Sequence, residues 1–526
     1  MRGNSLHGNR ESLERPDGNQ PAGGSGKASC RTPDTRISRQ SDSPIVLKKQ
    51  PNKAAVGLAA EAVEGRGLTK ENTSQAAARR TQSRDVASTG LRGVCRVAQK
   101  DKEVRFTALL HHITEELLRE SFYQLKRQAS PGVDGVTWKQ YEIDLENRLS
   151  DLHERVHRGT YRAQASKRKY IPKADGRMRP LGIAALEDKI VQQATVTVLN
   201  QIYEEDFVNF SYGFRPGRSQ HDALDALWVG LMGKKVNWVL DADIQGFFDN
   251  LDHAWLLKFL AHRIGDRRML RLIRKWLRAG VSEDGCWSKS EKGTPQGAVI
   301  SPLLANLYLH YVLDLWVKKW RKQAKGDIII VRYADDFILG FQYNWEAERF
   351  LVDLHERLEK FSLTLHPDKT RLIEFGRFVV ENRRNRGEAK PEVFDFLGFT
   401  HICSQKHLSK GFIVKCKTSA KRLRARLQQI KQELMWRRHL SIIEVGAWLR
   451  RVVQGFLNYH AIPGNSAAIS AFRLQVVRYW LRALRRRSQR HAMNWCRFGP
   501  IADRWIPKAR ILHPYPNVRF YVKHPR

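Results

Sequence analysis

The segment IIIVRYADDFILGF, residues 328–341, constrains the fold more than any other part of the sequence. Two short runs of β-branched, aliphatic and aromatic residues flank a tight polar turn, and such runs are typical of buried strands. The pattern predicts a β-hairpin whose turn holds two adjacent carboxylates, Asp335 and Asp336. Because an unpaired buried charge is costly, carboxylates between apolar strands usually become neutral, form ion pairs or bind a metal ion.

An adjacent Asp-Asp pair is also compatible with an ordinary acidic turn, so a third carboxylate upstream decides between the two interpretations. The segment WVLDADIQGFFDNLDH, residues 238–253, begins with a strand-like run that contains Asp241 and Asp243. Residues two apart point to the same face of a strand. A second strand could therefore bring Asp243 beside Asp335 and Asp336. Three carboxylates from two strands can bind two Mg²⁺ ions for phosphoryl transfer.

Several segments in a fixed order resemble one family. YADD at 333–336 and DIQGFF at 243–248 resemble the catalytic core of reverse transcriptases. The other matching segments are YIPKADGRMRPLGI at 170–183, SYGFRPGRSQHDAL at 211–224, GTPQGAVISPLLANLYL at 293–309, LHPDKT at 365–370 and FDFLGF at 394–399. Their order and spacing are similar to those of the reverse transcriptase/maturases encoded by bacterial group II introns. The resemblance covers roughly residues 80–526 and rests on the agreement of independent segments.

The resemblance implies an α+β fold, the right-hand polymerase, in which fingers and palm with an antiparallel sheet precede an α-helical thumb. The expected regions are a basic, disordered extension at 1–80, a helical N-terminal extension of the fingers at 81–165, fingers and palm at 166–405, a helical thumb or maturase domain at 415–490, and a basic aromatic tail at 491–526. The extension is poor in aromatic residues, so it cannot bury enough apolar surface to offset its ordering entropy. The tail has no paired cysteines, so we expect no Cys/His endonuclease domain there, and its aromatic rings are expected to stack on bases.

Local signals predict where several helices begin. Thr114 is expected to cap one helix, and Ser441 with Glu444 forms a capping-box signature for another. The period of apolar residues over 187–204 predicts a long amphipathic helix. Asp249 is expected to act as a helix cap rather than as a metal ligand.

The resemblance also implies the catalytic residues. They are Asp243, Asp335 and Asp336, and the expected metal ligands are these three residues together with the backbone carbonyl of Ile244. Strand alternation by itself leaves both Asp241 and Asp243 open as ligands. The family places an aromatic residue five positions after its metal-binding Asp, and Phe248 satisfies this from Asp243. We therefore assign Asp243 and treat Asp241 as secondary.

Substrate contacts are expected from several segments. Phe248 would stand beside the incoming sugar and exclude a 2′-hydroxyl, although core packing is the commoner fate of a lone phenylalanine. Lys173 and Arg179 lie on a predicted hairpin, where cations can neutralise a triphosphate, and solvated hairpin charges are the alternative. The remaining expected contacts are Gln296 at the nucleotide or template, Tyr333 and Ala334 at the primer end, and Lys369 at the leaving pyrophosphate.

The net charge of +38 and the pI of about 10.2 favour a polyanionic partner. A ribosomal or histone-like role would explain the charge but not the carboxylates. The predicted helices after residue 415 combine an apolar stripe with basic neighbours. The expected RNA-binding residues are Lys421, Arg422, Arg424, Arg426, Arg485, Arg486 and Arg487. Implied partners are intron RNA, a DNA target or primer, and deoxynucleoside triphosphates, while the oligomeric state stays open.

The implied function is RNA-directed DNA synthesis with assistance to intron splicing and retrohoming by target-primed reverse transcription. Two alternatives remain at this point: a reverse transcriptase of a retron, diversity-generating or CRISPR-linked system, and a maturase that only binds RNA. The three intact aspartates argue against the second, and the basic helical region after the palm favours the intron type. The scattered cysteines form no CxxC pair, which suits a reducing cytoplasm. No apolar run is long enough to predict a membrane span.

Overall fold

The computed structural model describes residues 80–172, 178–283, 285–406, 411–487 and 493–524, with side chains from residue 90 onward. The α-helices are α1 (Arg80–Lys100), α2 (Glu115–Gln124), α3 (Trp138–Glu142), α4 (Leu145–Arg158), α5 (Leu186–Asp206), α6 (Gln220–Gly233), α7 (Phe247–Asn250), α8 (His253–Arg263), α9 (Arg267–Arg278), α10 (Ser301–Leu309), α11 (Leu315–Gln323), α12 (Asn344–Glu359), α13 (Val379–Asn385), α14 (Ala420–Trp436), α15 (Ile442–His460), α16 (Ser466–Arg485), α17 (Trp495–Trp505) and α18 (Pro516–Lys523). The strands are β1 (Ser166–Pro172), β2 (Met178–Ile183), β3 (Trp238–Asp243), β4 (Val281–Glu283), β5 (Cys286–Ser288), β6 (Ile328–Tyr333), β7 (Asp336–Phe341), β8 (Arg371–Glu374), β9 (Phe394–Phe396), β10 (Phe399–Gln405) and β11 (Phe412–Thr418). Residues 1–79 of the predicted extension lie outside the described residues.

The strands form three sheets. The palm sheet has the order β6-β7-β3-β8 and is antiparallel throughout. The fingers sheet has the order β2-β1-β4-β5, in which only β1 and β4 pair in parallel, and β9 to β11 form a third antiparallel sheet. The mixed helix-and-sheet architecture, with antiparallel fingers and palm followed by a helical C-terminal region, confirms the expected fold class.

The palm sheet is covered on both faces, which explains why the first four residues of β6, Ile328 to Val331, are all apolar. Ile328 and Ile330 belong to a large core shared with the helices around the sheet. Ile329 and Val331 belong to a second core that includes β9 to β11 and α6. Successive strand residues thus point to opposite cores, as the pleat requires.

Most predicted helix starts are confirmed, and two interpretations are wrong. The side chains of Thr114 and Ser441 cap α2 and α15, the latter through a complete capping box with Glu444. The helix expected over 187–204 forms as α5, but it is buried on most of its faces because helices surround it, so it is not amphipathic. Asp249 lies inside the short α7, and Asp252 instead caps α8 by accepting from the Trp255 amide.

A third core holds the C-terminal helices together. Ile430 and Leu434 of the predicted stripe are buried there against residues of α15, α16 and α17. The tail that follows crosses back to the palm, because α18 packs on α6. Arg519 pairs with the carboxylate of Asp225, and Lys523 Nζ lies 2.7 Å from Asp222 Oδ2. These two basic tail residues therefore contact protein carboxylates, and the expected stacking of the tail's aromatic rings on bases stays a prediction.

Within the described residues, no helix combines the length and apolar character needed to cross a membrane.

Candidate active site

The palm sheet brings the predicted carboxylates of β3 and β7 together at one edge. Strand β3 pairs with β7 so that Asp243 stands directly opposite Asp336, and Asp335 immediately precedes β7 in the turn. Directly opposed residues of an antiparallel pair have Cα atoms about 4.5–5.5 Å apart. The partnership that the sequence could only suggest across the 92 positions from Asp243 to Asp335 is thus a direct consequence of strand register.

The same register places three carboxylates on one face of the sheet. Val239 of β3 and Ile338 of β7 both belong to the core that includes β9 to β11. Residues at even separations from them point the same way, so Asp241, Asp243 and Asp336 share this face. At the open end of the strands, the face therefore changes from apolar to acidic.

Desolvation and the neighbouring negative charges both act on Asp336. Asp336 is exposed to solvent by surface area, but neighbouring protein atoms partly desolvate its carboxylate. This partial desolvation, followed by repulsion from Asp335, Asp243 and Asp241, raises the pKa of Asp336 to about 7. Such a raised pKa at a cluster of carboxylates is a common property of functional sites.

A cation lies beside each of the two β3 carboxylates, Asp241 and Asp243. Lys369 Nζ lies 2.6 Å from Asp243 Oδ2, which places the predicted pyrophosphate-contacting lysine in the site. Arg371 Nη2 lies 3.5 Å from Asp241 Oδ2. Because β8 pairs Asp241 with Arg371 in register, Asp241 already has a fixed partner in the protein. Each β3 carboxylate thus has a cationic neighbour, and the choice of Asp243 over Asp241 as a metal ligand stays a prediction.

The donor set fits a divalent cation, although the side chains as placed do not enclose one. Among the described residues, no three His, Cys, Asp or Glu side chains are grouped as a metal cage. Desolvation and then repulsion from the other aspartates raise the pKa of Asp336, and a bound cation would relieve that repulsion. Hard oxygen donors suit Mg²⁺. The amides of Gln245 and His366 bond to the carbonyls of Thr364 and Asp243, so the intervening Ile244 carbonyl points away from this segment. It faces the side on which β7 lies.

The turn before β7 adopts a strained backbone. Ala334 has a φ of 57°, a left-handed conformation that costs an L-residue about 1–2 kcal/mol. The turn packs against the backbone of Gly213, where any Cβ would come within 2.2 Å of the Ala334 nitrogen. The segment SYGFRPG therefore needs glycine at this position, because a side chain would displace the carboxylate turn.

A buried ion pair holds this turn from below. Arg332 and Asp314 are both fully buried, with Nη2 of the arginine 2.6 Å from Oδ2 of the carboxylate. Arg332 Nη1 also donates to the Ala334 carbonyl at 2.9 Å and to Asn306 Oδ1 at 3.0 Å, and Nη2 donates to Ser211 Oγ. Asp314 ends a π-helical turn, His310–Asp314, that joins α10 to α11. Single π-turns inside helices frequently occur at functional sites.

Sequence analysis did not single out this network. The available signal was an arginine inside the otherwise apolar run IIIVRY, because a charge on a buried strand requires a partner. The sequence did not indicate which residue this partner is, because Asp314 lies on a helical segment that no local pattern relates to the strand.

The GTPQG segment contacts both Phe248, which follows the palm strand β3, and the fingers strand β2. The Thr294 amide donates to the Phe248 carbonyl at 2.8 Å, and the Gly182 amide of β2 donates to the Gln296 carbonyl at 2.7 Å. A Cβ at Gly293 would lie 2.8 Å from the Phe248 carbonyl oxygen, so glycine permits the close approach. Phe248 is half-buried against the large core. The segment thus links Phe248 and Gln296 to the fingers hairpin.

The structure distributes the other predicted site residues as follows. Tyr333 is half-buried and is the β6 partner of Asp336, and Arg179 lies half-buried on β2. Lys173 lies outside the described residues. The substrate roles of these residues stay predictions.

The predicted RNA-binding arginines fall into different environments. Arg422 of α14 approaches Gly398, and its charge acts to lower the pKa of Asp336, so it faces the palm. Arg424 donates to the Ala420 carbonyl of its own helix, and Arg426 donates to Gln429 Oε1. Arg485 donates to the Met493 carbonyl, and Arg487 donates to the Leu440 carbonyl. Lys421 and Arg486 are exposed.

Comparison with known proteins agrees with this geometry. The family model described as reverse transcriptase (RNA-dependent DNA polymerase) matches residues 171–401. Protein YkfC of Escherichia coli strain K12 is 34% identical over 337 residues, which cover 56% of this chain and 88% of YkfC. The chain belongs to the reverse transcriptase family.

Two further relatives are intron proteins. Group II intron-encoded protein LtrA of Lactococcus lactis subsp. cremoris is 37% identical over 238 residues, covering 43% of this chain and 39% of LtrA. Nuclear intron maturase 2, mitochondrial, of Arabidopsis thaliana is 24% identical over 286 residues, covering 43% of this chain and 36% of that protein. The predicted resemblance to group II intron reverse transcriptase/maturases is confirmed, and the chain spans well under half the length of these two intron proteins.

Proposed function

We propose that this reverse transcriptase copies RNA into DNA by adding deoxynucleotides to a primer 3′-hydroxyl. The observation that supports the proposal most directly is the register of β3 and β7, which sets Asp243 opposite Asp336 and next to Asp335. Extension of a DNA primer on an RNA template in the presence of Mg²⁺ tests it. The proposal fails if the purified chain adds no template-directed deoxynucleotides.

The chain's own residues would act by position and charge. Asp243, Asp335, Asp336 and the Ile244 carbonyl are the proposed ligands of two Mg²⁺ ions. These ions, when bound, would activate the attacking hydroxyl and stabilise charge on the phosphoryl group. Lys369 lies 2.6 Å from Asp243, close enough to contact the leaving pyrophosphate. The Arg332 network keeps the carboxylate turn in one conformation.

The second part of the proposed function is assistance to the splicing of the intron RNA. The net charge of +38 supports a polyanionic partner, and intron-encoded relatives support the identity of that partner. Helices α14 to α16 form a continuous core, so their basic residues can face outward while the apolar ones pack. Retrohoming by target-primed reverse transcription would combine both activities.

Replacing Phe248 by alanine is expected to relax sugar discrimination. Phe248 follows Asp243 by five residues, and its backbone is fixed by Thr294, so its ring can limit room for a 2′-hydroxyl. A contact of this size is worth about 1–3 kcal/mol, so the ratio of ribonucleotide to deoxynucleotide incorporation should rise by about 10–200-fold. Single-nucleotide extension kinetics with both substrates measure the ratio, with Phe378→Ala as a control at an exposed ring. An unchanged ratio would show that Phe248 is a packing residue.

Replacing Arg424 and Arg426 together by alanine should reduce protein-assisted splicing more than primer extension. Arg424 is exposed and Arg426 half-exposed on α14, where Arg424 donates to the Ala420 carbonyl and Arg426 to Gln429 Oε1. Each lost phosphate contact should flatten the salt dependence of RNA binding by about one unit of slope. Splicing of the cognate intron across a salt series, in parallel with extension on a short template, makes the comparison. The maturase role of α14 is excluded if extension falls as steeply as splicing.

A further inference from the structure

A basic groove lies outside the carboxylate site, between α8, α9 and the loop that leads into GTPQG. It has a volume of about 940 Å³. Cations from all three elements line it, namely Lys258, Arg274, Arg278, Lys289 and Lys292. Only two acidic residues, Asp252 and Glu291, are among the described residues that line it. Asp252 caps α8 and Glu291 pairs with Lys289, so the remaining cations dominate the groove.

The sequence of α9, RRMLRLIRKWLR, builds one wall of this groove. Its apolar residues are buried in the large core, whereas Arg267, Arg271, Arg274 and Arg278 are exposed. The spacings of four, three and four place these arginines along one side of the helix. At 1.5 Å per residue the row extends about 16 Å. A cationic row of this length can follow several phosphates of a nucleic acid.

These arginines have no structural role that explains them. Within the described part of the chain, no hydrogen bond or ion pair involves the side chains of Arg271, Arg274 or Arg278. By contrast, Arg158 and Arg349 on other exposed helices each pair with an acidic residue one turn away. Like charges at this spacing destabilise an isolated helix. Burial, and then the nearby charges of Arg271 and Arg162, lower the pKa of Lys275 on the same helix.

The lining distinguishes between two forms of nucleic acid. Proteins that bind single strands combine cations with aromatic rings on which bases stack. The described residues that line the groove include no Phe, Tyr or Trp. Double-stranded RNA is recognised mainly through its shape, phosphates and 2′-hydroxyls, which need no stacking platform. We propose that the groove between α8 and α9, whose described lining includes none of the three candidate catalytic aspartates, binds the phosphate backbone of a double-helical segment of folded RNA.

This inference rests on the proposed function, which supplies folded RNA as the partner. The test measures binding of the full chain to a 20-base-pair RNA duplex over a salt series, comparing Arg274→Ala/Arg278→Ala with Arg158→Ala/Arg349→Ala. Both double variants lose two exposed helical arginines, but the control pair is already neutralised by Glu154 and Asp353. The groove variant should bind more weakly and show a salt slope smaller by about two units, with the control close to wild type. Equal slopes for the two variants would overturn the proposal.

Three further arms assign the partner and separate the two proposals. Binding of wild type and the groove variant to a 20-base-pair DNA duplex and to a 20-nucleotide RNA strand is measured in parallel. The assignment is overturned if the variant loses more affinity for either of these than for the RNA duplex. Lysine acetylation of wild-type protein should show that the RNA duplex protects Lys258 and Lys292 but not Lys319 of α11, all three being exposed. Absence of that protection would also overturn it. Primer extension by the wild-type protein tests the proposed function separately. Duplex binding is measured without primer extension, so a protein that extends no primer can still give the expected result for the groove.

Discussion

Replacing Asp335 by alanine should abolish primer extension while binding to RNA survives. Asp335 immediately precedes β7, and its charge contributes to the raised pKa of Asp336, so the two carboxylates act on the same small region. Losing one of the three carboxylates would remove a proposed metal ligand together with charge stabilisation of the phosphoryl group. Removal of one preorganised electrostatic group costs about 10²–10³-fold in kcat, and loss of a metal ligand should exceed this. RNA binding depends on basic surfaces elsewhere and should remain.

The measurement is extension of a DNA primer on an RNA template with Mg²⁺, alongside filter binding of RNA to the same preparations. The strand offers a matched pair that tests the assignment further. Asp243→Asn should lose extension as Asp335→Ala does, whereas Asp241→Asn should keep most of it, because Asp243 stands opposite Asp336 while Asp241 stands opposite Ile338, farther from the turn. Near wild-type extension by Asp335→Ala would refute the metal site, and equal losses at Asp241 and Asp243 would refute the choice between them.

Replacing Asp314 by alanine should strongly destabilise the palm. The change would leave the guanidinium of Arg332, which is fully buried, without its counter-charge. Removing one partner of a buried ion pair typically costs about 3–5 kcal/mol. The midpoint of urea unfolding should therefore fall markedly. Asp503→Ala is the matched control, because Asp503 pairs with Arg473 at 2.8 Å but is largely exposed, and such pairs are worth at most about 1 kcal/mol.

A second variant separates the stability of the palm from the positioning of its turn. Asp314→Leu combined with Arg332→Met replaces the ion pair by apolar groups, and such replacements are often neutral or stabilising. The midpoint of urea unfolding should then recover in part. Primer extension should stay low, because the Ala334 carbonyl has lost its donor, Arg332 Nη1, which lies 2.9 Å away in the wild type. The idea that Arg332 positions the turn is wrong if extension recovers together with stability. If Asp314→Ala unfolds at the same urea concentration as Asp503→Ala, the pair contributes nothing to the fold.

The sequence determined those features that depend on neighbours along the chain. The apolar runs around YADD gave the hairpin of β6 and β7, and alternation gave β3 with its two aspartates. The caps at Thr114 and Ser441 could be predicted because a cap involves only the following turn. The family resemblance was predictable for the same reason, since it rests on short segments in order.

The tertiary structure decided which distant residues meet, because those contacts depend on how helices and strands pack. Register alone made Asp243 the partner of Asp336, and packing turned the predicted amphipathic α5 into a helix buried on most of its faces. Arg519 meets Asp225 across 294 positions, which no local pattern specifies. The buried pair of Arg332 with Asp314 could not be read either. Asp314 reaches Arg332 because it lies in the π-helical turn His310–Asp314. The free energy of a buried charge depends on the whole surrounding core rather than on the adjacent sequence.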